Sequence, residues 1–118
     1  VIRGIGIDII EMDRIKQSIK RKPRLIQRIL TEREYRRFKE LNERRQTEYA
    51  AGRFAAKEAL AKSLGTGIGS LSFQHIEVLS DGKGAPSMKV QGFENLHIWL
   101  SISHSTTHAV AQVVLEER

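Results

Sequence analysis

Cysteine is absent from this 118-residue chain, so neither a disulfide framework nor a thiol nucleophile is available to it. Aromatic residues make up 6%, too sparse and too scattered for the interleaving that stacks nucleic-acid bases. No apolar run approaches a membrane span, and the first residues read as a buried strand rather than a signal peptide. Repeats and low-complexity segments are missing too. Acidic residues vanish between Asp13 and Glu32, where Arg14, Lys16, Lys20, Arg21, Lys22, Arg24 and Arg28 accumulate within a net charge of +6. Such a block favours an acidic partner, whether nucleic acid, membrane surface or protein; the plain alternative is a solvated helix face. What is present, 40% apolar and 29% charged residues, is ordinary for a soluble globular protein. The length predicts one domain, residues 1–118, with a modest core.

Ile2 to Ile7, with glycines at 4 and 6, reads as a buried strand that another backbone or a ligand approaches closely. A helical stripe of Met12, Ile15 and Ile19 follows, and Pro23 opens the next helix, whose apolar side is Leu25, Ile26, Ile29 and Leu30. Thr31-Glu32-Arg33-Glu34 has the form of a capping box, so a third helix begins at Thr31. A longer helix is expected from about Arg44 to Leu64, closed by Gly65 in a left-handed cap. Then the period changes. His75 to Leu79 and Ser87 to Val90 form a hairpin across Asp81-Gly82-Lys83-Gly84, and Leu96 to Ser103 and Ala109 to Leu115 make two more strands. Strand, helices, then antiparallel strands is an α+β order. The last strand is apolar at nearly every position and wants cover on both faces, which predicts self-association.

The chemistry concentrates in two places. The helix segment from Gly52 to Lys62 sets Arg53, Lys57, Glu58 and Lys62 among alanines, and Gly4-Ile5-Gly6-Ile7-Asp8 ends an apolar strand in a carboxylate. An ion pair between Glu58 and Lys62, four residues apart, would account for those two alone. Asp8 changes the weighing, because magnesium is held by one or two carboxylates with water and phosphate oxygens completing its shell. Together the residues suggest a two-carboxylate metal site that handles a phosphorylated substrate. Gly65-Thr66-Gly67-Ile68-Gly69 lacks the Walker spacing and lysine and follows a helix, so it reads as a cap leading into a substrate wall. His104 stands alone, with no Gly-x-Ser-x-Gly to make it part of a hydrolase triad. Glu11 is either a first-turn residue favoured by the helix dipole or a hydrogen-bonding support for the metal site.

These motifs, Gly6-x-Asp8, Phe54-x-x-Lys57-Glu58-Ala59-x-x-Lys62 and Ser101-x-Ser103-His104, resemble those of the holo-acyl-carrier-protein synthases, the short phosphopantetheinyl transferases. The resemblance covers nearly the whole chain. It implies the phosphopantetheinyl transferase fold, a cytoplasmic homotrimer with active sites between subunits, and a role in fatty acid biosynthesis. The implied reaction moves 4′-phosphopantetheine from coenzyme A to a serine of acyl carrier protein, releasing adenosine 3′,5′-bisphosphate. Asp8 and Glu58 map onto the family's magnesium positions, and Lys62 onto the group that neutralises the transferring phosphate. The serine proton goes to Glu58 or to a metal-bound water. Arg53 and Lys57 are implied at the coenzyme pocket or its mouth, and Gly65 beside the pantetheine arm. Ser103 and His104 are implied at the nucleotide end, with Lys83, Gly84 and Pro86 nearby. Arg14, Arg21, Arg24 and Arg28 would dock an acidic carrier helix, with Leu25 and Ile68 as apolar contacts. Neither nucleic acid nor membrane is an expected partner. A basic nucleic-acid-binding protein, or a scaffold for acidic proteins, would explain the charge but leave Asp8, Glu58 and the glycines without a task.

Overall fold

Two glycines decide how the first strand meets the longest helix. In the computed structural model, which describes residues 1–66 and 71–118, β1 (Ile2–Glu11) lies directly against α4 (Glu43–Leu64). A methyl group added at Gly4 would stand 2.1 Å from the carbonyl oxygen of Ser63, and one at Gly6 would stand 1.9 Å from that of Ala59. Only hydrogen side chains permit this approach. The helix answers with small residues of its own: Ala50, Ala51, Ala55, Ala56 and Ala59 are all fully buried.

Between β1 and α4 the chain forms α1 (Met12–Arg21), α2 (Pro23–Ile29) and α3 (Glu32–Glu40). α1 buries Met12 and Ile15, and α2 buries Ile26 and Ile29, so their basic residues are left on the outside. Pro23 opens α2, as its preset φ and missing N–H favour. The capping box at Thr31 is complete: Thr31 Oγ1 accepts from the Glu34 N–H, and Glu34 Oε1 accepts from the Thr31 N–H at 2.8 Å. Asn42 caps α4 by accepting from the Arg45 N–H, and Gly65 ends it with φ +77°.

Beyond α4 come a 3-10 turn (Phe73–His75) that the sequence did not reveal, the hairpin β2 (Ile76–Ser80) and β3 (Pro86–Val90), then β4 (Leu96–His104) and β5 (His108–Glu117). β1, β5 and β4 form an antiparallel sheet in that order, with Asp8 opposite Ala111 and Ala111 opposite Ile102. The α+β order expected from the sequence is the observed one, with element ends moved by a few residues.

The burial of β1 departs from expectation. Its inward residues are Gly4, Gly6, Asp8 and Ile10, while Ile5, Ile7 and Ile9 are 62%, 58% and 63% exposed. Register places Ile5 beside Val114 and Ile9 beside Val110, and Val114 beside Trp99, itself 55% exposed. The sheet therefore has a core face against α4 and an outer face that is largely apolar and open to solvent. β5 is covered on only one side within the chain, as its composition suggested.

Candidate active site

Asp8 is the last inward-facing position of β1 before Ile10, and β1 is an edge strand, so its carboxylate emerges where the sheet meets α4. Lys62, on the last turn of that helix, donates to Asp8 Oδ1 at 2.9 Å and to the Ile7 carbonyl at 3.0 Å. Glu58 sits one turn earlier on α4, half-buried. Burial pushes its carboxyl above the ordinary glutamate value; the Asp8 charge pushes the same way and Lys62 opposes. Asp8, Glu58 and Lys62 thus share one electrostatic environment, as the sequence suggested. The i,i+4 alternative fails in detail, since the ion pair Lys62 makes is with Asp8, not Glu58.

Two carboxylates facing one ammonium leave a negative charge uncompensated at a partly desolvated spot. That is the condition for attracting a cation. Among the described residues no cluster of three or more His, Cys, Asp or Glu exists, so any metal here would take much of its shell from water and from a ligand. Magnesium fits this donor set: hard oxygen ligands, few from the protein, the remainder from water and phosphate.

Lys57 is a correction. The resemblance placed it with Arg53 at the coenzyme pocket or its mouth, but its side chain is entirely buried. Its ammonium donates to Glu34 Oε1 at 2.6 Å, to the Ile29 carbonyl at 2.7 Å and to the Phe73 carbonyl at 3.2 Å. Adjacent helical residues point about 100° apart, so Lys57 and Glu58 serve different sides of α4. Burial lowers the lysine's proton affinity while Glu34 opposes, and removing one partner of such a buried pair costs about 3–5 kcal/mol. Glu34, which the sequence offered only as a helix cap, is the residue missed. Its other oxygen accepts from the Val78 N–H at 2.8 Å, so one carboxylate joins α3, α4 and β2.

Arg53 keeps its candidacy. Its guanidinium lies over the Tyr49 ring at 3.9 Å, its Nη2 reaches Ser80 Oγ at 3.5 Å, and its Nε is buried without a hydrogen-bond partner. Ser80 leads into the β2–β3 turn, where Asp81 Oδ1 accepts from the Lys83 and Ala85 N–H groups and Gly84 takes φ +83°. Lys83 and Gly84 are exposed on that turn and Pro86 begins β3. Gly52 brings α4 against Ile102 of β4, and Ser103 and His104 follow at that strand's exposed end. Arg53 thus meets the hairpin at Ser80, the residue before it meets β4 at Ile102, and β5 separates β4 from the Asp8 strand. Gly65 is exposed beside Lys62 in sequence. Glu11 caps α1 by position but makes no capping hydrogen bond.

Arg14, Arg21, Arg24 and Arg28 are exposed on α1 and α2, and none has a carboxylate partner among the described residues. Leu25 is half-buried between Arg24 and the buried Ile26. Arg24 and Arg28 border a groove floored by Leu30, Leu71 and Phe73. Ile68 lies outside the described residues.

Comparison with known proteins identifies the family of the chain. The profile of the 4′-phosphopantetheinyl transferase superfamily matches residues 4–114. Holo-(acyl-carrier-protein) synthase of Oceanobacillus iheyensis is 58% identical over 118 residues, covering 100% of this chain and 99% of that protein. The enzyme of that name from Geobacillus kaustophilus is 56% identical, covering 98% and 90%. The crystal structure of holo-(acyl-carrier-protein) synthase from Bacillus anthracis in complex with CoA (3′,5′-ADP) superposes with a TM-score of 0.93 at 50% identity, over 99% of this chain and 98% of that one. With motifs, fold and relatives in agreement, the chain belongs to the 4′-phosphopantetheinyl transferase superfamily and is an enzyme of the holo-(acyl-carrier-protein) synthase type.

Proposed function

We propose that this enzyme transfers 4′-phosphopantetheine from coenzyme A to a serine hydroxyl of an acyl carrier protein for fatty acid biosynthesis, in the cytoplasm, with magnesium held by Asp8 and Glu58. The observation that carries the reading is the meeting of Asp8, Glu58 and Lys62 at one place, from segments some fifty residues apart. Bound there, magnesium would supply charge neutralisation on the pyrophosphate oxygens of the coenzyme. Lys62 adds a second positive charge, already oriented by Asp8 and the Ile7 carbonyl, at the phosphate under attack. Glu58, whose proton affinity is raised, suits the role of receiving the serine proton, directly or through one water. Adenosine 3′,5′-bisphosphate leaves.

Coenzyme contacts are assigned to Arg53, Gly65, Lys83, Gly84, Pro86, Ser103 and His104. The unpartnered Nε of Arg53 favours its place among them. Within one chain Arg53, which reaches Ser80 of the hairpin, and Lys62, which reaches Asp8, stand on different sides of α4, while Gly65 lies at the Lys62 end. Two half-sites are what an active site between subunits requires. The open apolar face of Ile5, Ile7, Ile9, Val110, Val114 and Trp99 supplies a surface for that association, and we assign it to a homotrimer. The carrier protein docks on Arg14, Arg21, Arg24 and Arg28, with Leu25 as apolar contact.

The deciding experiment incubates the purified enzyme with coenzyme A, magnesium and an apo acyl carrier protein, and follows the carrier's mass. A phosphopantetheine adduct on serine that disappears with chelator, and in Asp8→Ala and Glu58→Ala variants, is the expected result. No adduct with wild-type enzyme overturns the function; an adduct undiminished in both variants overturns the metal assignment.

A further inference from the structure

Lys57 is part of the family motif, yet it touches neither carboxylate of the site. Its three N–H donors are all used inside the protein, and each ties α4 to a different segment. One holds the carbonyl of Ile29 at the end of α2, one the carboxylate of Glu34 at the start of α3, and one the carbonyl of Phe73. A second side chain grips the same end of α2 from outside: Gln74 Nε2 lies 3.2, 2.9 and 2.8 Å from the carbonyl oxygens of Gln27, Arg28 and Leu30. Helix ends carry carbonyls that no later N–H satisfies, and here two side chains meet that need. α2 has only seven residues and bears Arg24, Leu25 and Arg28. So short a helix owes its orientation to such anchors more than to its own turns.

We propose that Lys57, with Gln74, is a positioning device that fixes the carrier-binding helix α2 relative to Glu58, the next residue on α4. Lys57 holds Ile29 while Glu58 faces Asp8, so one helix turn sets both where the carrier docks and where its serine is activated. The groove bordered by Arg24 and Arg28 has Phe73 in its floor, so the third anchor of Lys57 fixes the floor of the same docking face. Glu34 completes the device by holding the Lys57 ammonium against the capping box and the Val78 N–H. This inference rests on the proposed docking of the carrier at α2.

The test is steady-state kinetics with each substrate varied, on Lys57→Met, Gln74→Ala and Arg24→Glu, with thermal melts to check folding. Couplings through networks of this kind correspond to roughly two- to thirtyfold in an equilibrium. Lys57→Met is therefore expected to raise the KM for carrier protein by roughly that factor, with the KM for coenzyme A within about twofold of wild type. Gln74→Ala, at an exposed position that does not endanger the core, is expected to do the same to a smaller extent. Should Lys57→Met not fold, Gln74→Ala decides alone, and an unchanged carrier KM there refutes the proposal. A raised coenzyme KM in Lys57→Met with a normal carrier KM also refutes it, returning Lys57 to the coenzyme pocket. A lowered melting temperature with both constants normal leaves Lys57 a core residue only and sinks the positioning role. Arg24→Glu separates the layers: if it alone raises the carrier KM, docking stands and the device falls; if it too leaves that constant unchanged, the docking reading itself is wrong.

Discussion

Gly6→Ala should cripple the enzyme without touching any group that carries charge. The added methyl would lie 1.9 Å from the Ala59 carbonyl oxygen and 2.8 Å from the Ser63 nitrogen, both backbone atoms of a helix that cannot rotate aside. Carbon and oxygen do not sit closer than about 3 Å in folded proteins, so β1 and α4 must part by at least about 1 Å. β1 is paired along its length to β5, and α4 is packed through buried alanines, so the strain falls on the edge of the sheet. Asp8 and the Ile7 carbonyl travel with that edge. Their hydrogen bonds from Lys62, 2.9 and 3.0 Å long, would stretch toward 4 Å and cease to be hydrogen bonds. A misplacement of about 1 Å in positioned catalytic groups costs about 100-fold in rate. Overpacking of this kind also destabilises by about 1–3 kcal/mol. We therefore expect kcat to fall about 100-fold in a protein that still folds at 25 °C.

The assay is carrier mass gain under single-turnover conditions, beside calorimetry of magnesium with coenzyme A. Gly92→Ala is the control for destabilisation alone: its φ is +87° and nothing lies within 4 Å of the added methyl, so it strains the backbone far from the site. It should lower the melting temperature at a cost of about 1 kcal/mol or more and leave kcat normal. A Gly6→Ala enzyme with kcat within about threefold of wild type would show that the strand–helix approach does not set the site. Equal loss in both variants would show that lost stability, not lost geometry, slows the reaction.

Three further perturbations follow from the charges. Because the folded state raises the proton affinity of Glu58, its ionised form opposes folding, and stability falls as pH rises through that raised value. Glu58→Gln should therefore raise the melting temperature of the metal-free protein at neutral pH and abolish this pH dependence, while removing transfer activity; a lowered melting temperature would contradict the sign. Lys62→Met should lower kcat by roughly 100- to 1000-fold, the usual worth of a group that stabilises developing charge. It should also move the acid limb of the pH–rate profile upward, since Lys62 holds the Glu58 carboxyl down; an acid limb that stays in place would mean Glu58 does not set it. Arg14→Glu should raise the KM for carrier protein alone, and added salt should do the same to wild type, since exposed charges are screened over a Debye length of about 8–10 Å; equal effects on both substrates would move the cluster out of the docking face.

The helices were legible because their ends are written in local chemistry. Thr31 and Glu34 satisfy each other's backbone N–H groups, Pro23 supplies a preset φ, and Gly65 takes a conformation that side chains resist. None of this depends on the rest of the molecule. The first strand was harder, because its apolar residues and its buried residues are different sets. Glycine occupies the inward positions, where the helix backbone leaves no room for a side chain, and isoleucine the outward ones. Hydrophobicity along Ile2–Ile9 therefore records a surface that the single chain leaves open, not the core.

The same limit separates Lys57 from Glu58. Residue types and spacing announced a cluster of charge on one helix, and the resemblance assigned Glu58 to metal, Lys62 to the transferring phosphate, and Arg53 and Lys57 to the coenzyme pocket or its mouth. Spacing alone cannot say which of two adjacent charges has a buried counter-charge waiting. That depended on Glu34, 23 residues earlier, whose two oxygens meet N–H groups of Thr31 and Val78 inside the protein. A carboxylate that deeply buried needs a cation, and Lys57, itself fully buried, supplies it at 2.6 Å. The signal was present in the sequence as a capping box immediately after an apolar helix end, Ile29-Leu30-Thr31-x-x-Glu34. A cap set behind two apolar residues is one whose glutamate is taken out of water. Once Glu34 is inside, Lys57 must follow it, and Glu58, turned about 100° away, is the carboxylate left free for chemistry.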